Sequence, residues 1–193
     1  AGAGGCFAAI RIAELFPGAS ICILESARKP LSKVEISGGG RCNVTHACFD
    51  PEELVHFYPR GSKELLGPFY HFQPADMIEW LKGKGVRVKQ EEDGRMFPES
   101  DSSMTIINCF MSAIHRLGIQ LRLSTRATNW GFKPDSGTWD VELFDGTRVD
   151  SKFLLIATGS DQRTWDSLKI IGHNIISPVP SLFTFNIRDK NLT

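Results

Sequence analysis

The sequence has no surplus of charge of either sign. Its 22 Lys and Arg balance 22 Asp and Glu across 193 residues, so no global field draws it toward nucleic acid or an anionic bilayer. It has no long apolar run either: the longest, such as Phe153 to Ala157, fall far short of the ~20 residues that span a membrane. Paired cysteines are missing. Cys6, Cys22, Cys42, Cys48 and Cys109 form an odd, scattered set without a C-x-x-C, which argues against a zinc cage or a thioredoxin-type dithiol. His46, His56 and His71 lack metal-ligand spacing, so no metal is expected. No signal peptide is visible, since Ala1 to Ile10 is apolar but has no basic stretch before it. The reading is a cytoplasmic protein with free thiols. What remains is ordinary: 41% hydrophobic and 23% charged residues suit a globular α/β core, and the length suits one domain of about 100–200 residues.

The first ten residues, A-G-A-G-G-C-F-A-A-I, carry most of a dinucleotide-binding fingerprint, G-x-G-x-x-G at the start of a helix. With Gly2 as the second glycine, Gly5 is the third, and the first precedes Ala1. Gly2, Gly4 and Gly5 then line a pyrophosphate turn, with the amides and dipole of a helix over about Ala3 to Phe16 facing the phosphates. Pro17-Gly18 ends that helix. Ser20 to Leu24 reads as a buried parallel strand. Glu25 closes it 20 residues after Gly5, where such a site expects an acid on the adenosine ribose, and an acid there disfavours a 2′-phosphate.

A second glycine cluster follows in K-V-E-I-S-G-G-G-R-C-N, residues 33–43. Glycines there permit a backbone concavity and close approach to a flat ring. Gly39, Gly40, Arg41 and Asn43 are candidates for the flavin side of the site, and Ser32 and Lys33 for the adenosine or phosphates. Further on, Asp50-Pro51-Glu52-Glu53 signals a helix start and Pro74 to Leu81 a short helix. E-E-D-G at 91–94 is a turn between two strands. Met104 to Leu117 has one apolar face at helical spacing, with Gly118 as its C-terminal cap. Ile119 to Leu123 reads as a strand, and Arg126 to Val149 as a β-meander with an Asp145-Gly146 turn. Phe153 to Ala157 reads as a buried strand running into Thr158-Gly159-Ser160, with Thr158 and Gly159 closing the nucleotide pocket.

The blocks K-V-E-I-S-G-G-G-R-C-N, D-G-R-M-F-P-E-S-D (93–101), L-L-I-A-T-G-S (154–160) and G-H-N-I-I-S-P-V-P-S-L (172–182) together resemble the BaiN/YhiN-type flavoproteins. The resemblance implies a Rossmann-like FAD-binding domain of the glutathione-reductase-like type with a β-meander, over residues 1–182. It includes a small α/β excursion at about 50–100, and residues 183–193 open an inserted substrate domain. On this reading the chain is the first half of a longer flavoprotein, lacking its first strand. Ala127 matches the position whose backbone faces adenine in this family. The implied function is an FAD-dependent oxidoreductase acting on a small organic substrate through a non-covalent flavin, with NAD(P)H as a candidate co-substrate. No catalytic acid or base is named. Cys42 lies beside the flavin-side loop, but its spacing to Cys48 is wrong for the C-x-x-x-x-C pair of disulfide reductases. No nucleic-acid partner is expected. A flavin-dependent RNA-modifying protein is the rival reading, with Arg28, Lys29, Lys33 and Arg41 as its nearest basic residues, and a non-catalytic nucleotide-binding fragment is the other.

Overall fold

The computed structural model describes residues 1–179 as two compact units, Ala1–Ala157 and the chain from Thr158 onward. In chain order the first unit runs through helix α1 (Ala3–Leu15), strand β1 (Cys22–Leu24), helix α2 (Ser32–Ile36), a tight glycine turn (Ser37–Gly40), β2 (Thr45–His46), α3 (Pro51–Val55), α4 (Ser62–His71), α5 (Pro74–Gly83), β3 (Val88–Gln90), β4 (Arg95–Pro98), α6 (Ser103–Arg116), β5 (Gln120–Arg122) and a final trio, β6 (Ala127–Lys133), β7 (Thr138–Leu143) and β8 (Arg148–Ser151). The second unit contributes α7 (Gln162–Ile170), capped by the Asp161 carboxylate. The protein is α/β with a Rossmann-like arrangement. Strands β1 and β5 pair in parallel, Cys22 opposite Gln120 and Leu24 opposite Arg122, and helix α6 leads into β5.

The core follows from helical periodicity. Helix α1 buries Cys6, Ala9, Ile10 and Ala13, and α6 buries Ile106, Ile107, Phe110, Ala113 and Ile114, each at the three- and four-residue spacing that makes one apolar face. These faces meet Ile23 and Ile119 in one cluster. Gly118, at φ 66°, turns the chain from α6 into β5 as the left-handed residue of a helix C-terminus. Glu14 near the end of α1 ties that helix to α5 and the residue after it. Its carboxylate accepts from Lys84, from Arg11 at 2.6 Å and from the Trp80 indole N–H at 3.3 Å. Burial works against the charged form, but these donors win and hold the Glu14 carboxyl below the usual range.

Two antiparallel sheets complete the unit. Strand β4 lies between β2 and β3, and β7 lies between β6 and β8, which is the expected meander. Helix α3 starts where its sequence signal lies, with the Asp50 carboxylate accepting from the Glu52 and Glu53 N–H groups at 2.8 and 3.3 Å. Among the described residues no helix is long and apolar enough to cross a membrane.

Two expectations need correction. Phe153 to Ala157 is no strand: it has no ladder partner among the described residues, and Phe153 is 88% exposed. An apolar run becomes a strand only when a neighbour takes its backbone hydrogen bonds, and composition cannot supply that neighbour. The strand expected over Ser20 to Leu24 is shorter, and of its three residues only Ile23 is buried. Residues 180–182 of the last resemblance block, and 183–193, lie outside the described residues.

Candidate functional site

The first glycine cluster stands at the amino end of α1. Gly2 is the N-cap in extended conformation, without a side-chain cap, and its carbonyl accepts the first helical bond from Cys6 N–H at 3.0 Å. The N–H groups of a helix's first turn have no acceptor within the helix, so this end offers donors and a positive dipole to an anion. A Cβ on Gly2 or Gly4 would meet no protein atom within 4 Å, so internal packing does not require glycine at either position. Gly5 differs: its Cβ would lie 3.4 Å from the Ala157 Cβ, so the helix closes on the 153–157 segment there.

Glu25 follows β1 and continues its pairing. Its N–H donates to the Arg122 carbonyl at 2.9 Å, and its carbonyl accepts from Thr125 N–H at 2.7 Å. Its carboxylate turns back to the glycine cluster, lying 2.6 Å from the Ala1 nitrogen and accepting from Ala27 N–H at 2.8 Å and from the Ser26 hydroxyl at 3.4 Å. Leu31 N–H donates to the Ala1 carbonyl at 2.8 Å, which joins the segment after β1 to the same glycines. Leu31 itself sits left-handed at φ 58° and is 1% exposed, a strained conformation of the kind that needs support from its surroundings.

The second glycine cluster packs on the hairpin of β3 and β4. Gly38, Gly39, Gly40 and Cys42 all have positive φ, at 56°, 68°, 86° and 63°. Gly38 has no room for a side chain, since a Cβ there would lie 2.8 Å from the Phe97 ring and 2.8 Å from the Asn43 nitrogen. Gly39 and Gly40 face open space instead. Arg41 is directed at the hairpin: its guanidinium donates to Glu91, lies 3.5 Å from Asp101 and stacks 3.9 Å from the centre of the Phe97 ring. The Asn43 amide, oriented with its nitrogen inward, donates to the Thr45 carbonyl at 2.9 Å and the Met96 carbonyl at 3.3 Å. The structure thus joins two blocks far apart in sequence, and it gives Glu91, Phe97 and Asp101 a part in the site that the sequence did not suggest.

The other candidates spread around this frame. The Ser32 hydroxyl donates to the Lys29 carbonyl at 3.1 Å, and Lys33 follows it in α2. Ala127 opens β6 opposite Leu143, close in sequence to Thr125 on the Glu25 carbonyl. Thr158 and Gly159 belong to the second unit. Of the basic residues considered for an RNA surface, Lys29 pairs with Glu35 at 2.5 Å and Arg41 with the hairpin. Cys42 and Cys48 are both free thiols, and burial raises the Cys42 thiol above its usual range despite an opposing hydrogen bond with Ser37. No cluster of metal-ligating side chains occurs among the described residues.

Comparison with known proteins adds a lineage to this geometry. The model of the family described as HI0933-like protein Rossmann domain matches residues 1–179. The chain is similar to the ribosomal RNA dihydrouridine synthases of Haemophilus influenzae, 26% identical over 100% of this chain and 49% of that protein, and of Escherichia coli, 26% identical over 82% of this chain and 38% of that protein. It is also similar to the 3-dehydro-bile acid delta(4,6)-reductase of Clostridium scindens, 23% identical over 97% of this chain and 46% of that protein. The chain spans about half the length of these curated relatives, or less.

Proposed function

The chain belongs to the HI0933-like Rossmann domain family, a flavin-binding type, and from that premise we propose that the protein is an FAD-dependent oxidoreductase of the cytoplasm. The observation that carries the reading is Glu25, which follows β1 with its carboxylate beside Ala1 at the α1 amino end. A pyrophosphate at that helix end and a ribose hydroxyl donating to the Glu25 carboxylate would use the helix-end donors and the acid that the fingerprint places there. The residues present fit FAD in a second respect: Gly2, Gly4, Gly39 and Gly40 have clear space where a Cβ would stand. FAD supplies two-electron redox chemistry when bound. The chain's residues bind and orient it: Gly2, Gly4 and Gly5 at the pyrophosphate, Glu25 at the ribose, Ser32 and Lys33 near the adenosine or phosphates, Ala127 at the adenine, and Gly39 and Gly40 toward the flavin with Arg41 and Asn43 behind them. NAD(P)H serves as electron donor. The named activities of the relatives, dihydrouridine synthesis and delta(4,6) reduction, are both reductions of a carbon–carbon double bond, so the substrate we assign is a small organic molecule with a reducible double bond.

Purified full-length protein should be yellow, and heat-released supernatant should give FAD by chromatography, whereas residues 1–193 alone should hold FAD weakly or not at all. Glu25→Ala should weaken FAD binding by about 1.5–3 kcal/mol, the range for a hydrogen bond to a charged group, and Gly5→Val should weaken it further. Release of FMN, which has no adenosine ribose, would sink the Glu25 assignment. The names of two relatives favour one second reading, in which the reducible double bond lies in an RNA base. RNA retained at moderate salt would promote it over the small-molecule reading.

A further inference from the structure

The glycine turn carries an unusual conformational load. Four of the five residues from Gly38 to Cys42 are left-handed, and one of them, Cys42, is not glycine, so the turn costs free energy wherever nothing holds it. What holds it is the hairpin. Phe97, fully buried in β4, fills the space where a Gly38 side chain would be. The Val44 N–H donates to the Met96 carbonyl at 2.9 Å, and Asn43 reaches the same carbonyl. Arg41 clasps Glu91 and Asp101 across the Phe97 ring. The charges around it are balanced locally: Arg95 meets Glu91 and Asp93, and Lys89 meets Asp101.

We propose that Arg41 is a positioning residue: clamped by Glu91 and Asp101 over Phe97, it sets the glycine turn in its ligand-ready shape before any flavin arrives. This rests on the FAD reading only for the identity of the ligand. The turn itself is a property of the flavin-free chain.

The test is Glu91→Gln, which keeps size and removes the charge that Arg41 grips. Hydrogen exchange read by mass spectrometry should rise ~10-fold for the amides of residues 38–43 in flavin-free protein, and stay unchanged in α1 and β1. The FAD dissociation constant, from flavin fluorescence titration, should rise ~10-fold, because the competent turn is then only partly populated. The thermal midpoint should fall by only ~2–4 °C with the transition still cooperative, which separates positioning from loss of fold. Arg41→Gln should reproduce both effects, and the double variant should be no worse than either single one, as expected for two residues acting as a unit. Unchanged exchange in the turn, or effects that simply add in the double variant, would overturn the clamp. Faster exchange with unchanged FAD affinity would overturn the positioning role. If wild-type protein takes up no FAD at all, the proposed function fails, while the exchange comparison still decides whether the clamp exists.

Discussion

The two glycine clusters of this protein use the same residue for different physics. In the first, the backbone is ordinary: Gly2 is extended and Gly4 helical, and neither has a protein atom within 4 Å of a would-be Cβ. Glycine there is not required by the protein's own packing. In the second, glycine serves the turn itself, through left-handed φ values and the contact of Gly38 with Phe97. Their anchors differ too. The α1 end is tied down far from its glycines by Glu14 and Lys84, whose side chains are 17% and 19% exposed. The turn is tied at its own edge by Arg41, in a network open enough for salt to screen. One cluster is held by a remote, sheltered bond, and the other by an adjacent, wetter one.

The largest way to break this comparison is Phe97→Ala. Truncating a fully buried Phe costs about 3–5 kcal/mol, and here it also removes the surface that Gly38 and Arg41 rest on. Denaturant unfolding should show that loss, with the first cluster's hydrogen exchange changed only through global stability. A local collapse of α1 as well would mean that the two clusters form one structural unit.

A smaller effect is expected from Glu14→Gln, about 1–3 kcal/mol for leaving buried donors without their charged acceptor. The sign with pH follows from the lowered Glu14 pKa. Its contribution is present above the unfolded value, near ~4.3, and is lost as pH falls through the lower folded value. Wild type and variant should therefore differ in stability at neutral pH and converge in strong acid. A constant gap across the titration would remove Glu14's charge from the account.

The smallest expected effect sharpens the comparison most. Gly4→Ala should stabilise the flavin-free chain by about 0.5–1 kcal/mol, since alanine outranks glycine inside a helix and meets no neighbour here. FAD binding should weaken at the same time. Stability and affinity moving together would mean that Gly4 is there for the fold and not for a ligand.

The two clusters were also unequally legible in the sequence. Gly2, Gly5, the α1 periodicity and Glu25 lie within one local stretch, so spacing alone brings them together. Arg41, Asn43 and the glycines between 38 and 40 were visible as a motif, but their bonding was not. Their partners Glu91, Phe97 and Asp101 lie some 50–60 residues on, and only the pairing of β2 with β4 puts them in reach. Helix α4 was missed for a local reason: Gly67 and Pro68 stand inside it, and both read as helix breakers. Phe153 to Ala157 failed in the opposite direction, because its apolar character hid the lack of a pairing neighbour.

The Arg41–Glu91 contact joins residues 50 apart in the chain, and this has a consequence for synthesis and folding. Loop closure over that span must precede the bond, and contacts of long sequence separation are slow to form. A nascent chain can complete the α1 helix soon after Leu15 has been made. It can set the glycine turn only after β4 and Asp101 have been made and have docked. The two glycine clusters therefore mature at different times, the one at the α1 amino end early and the left-handed turn late.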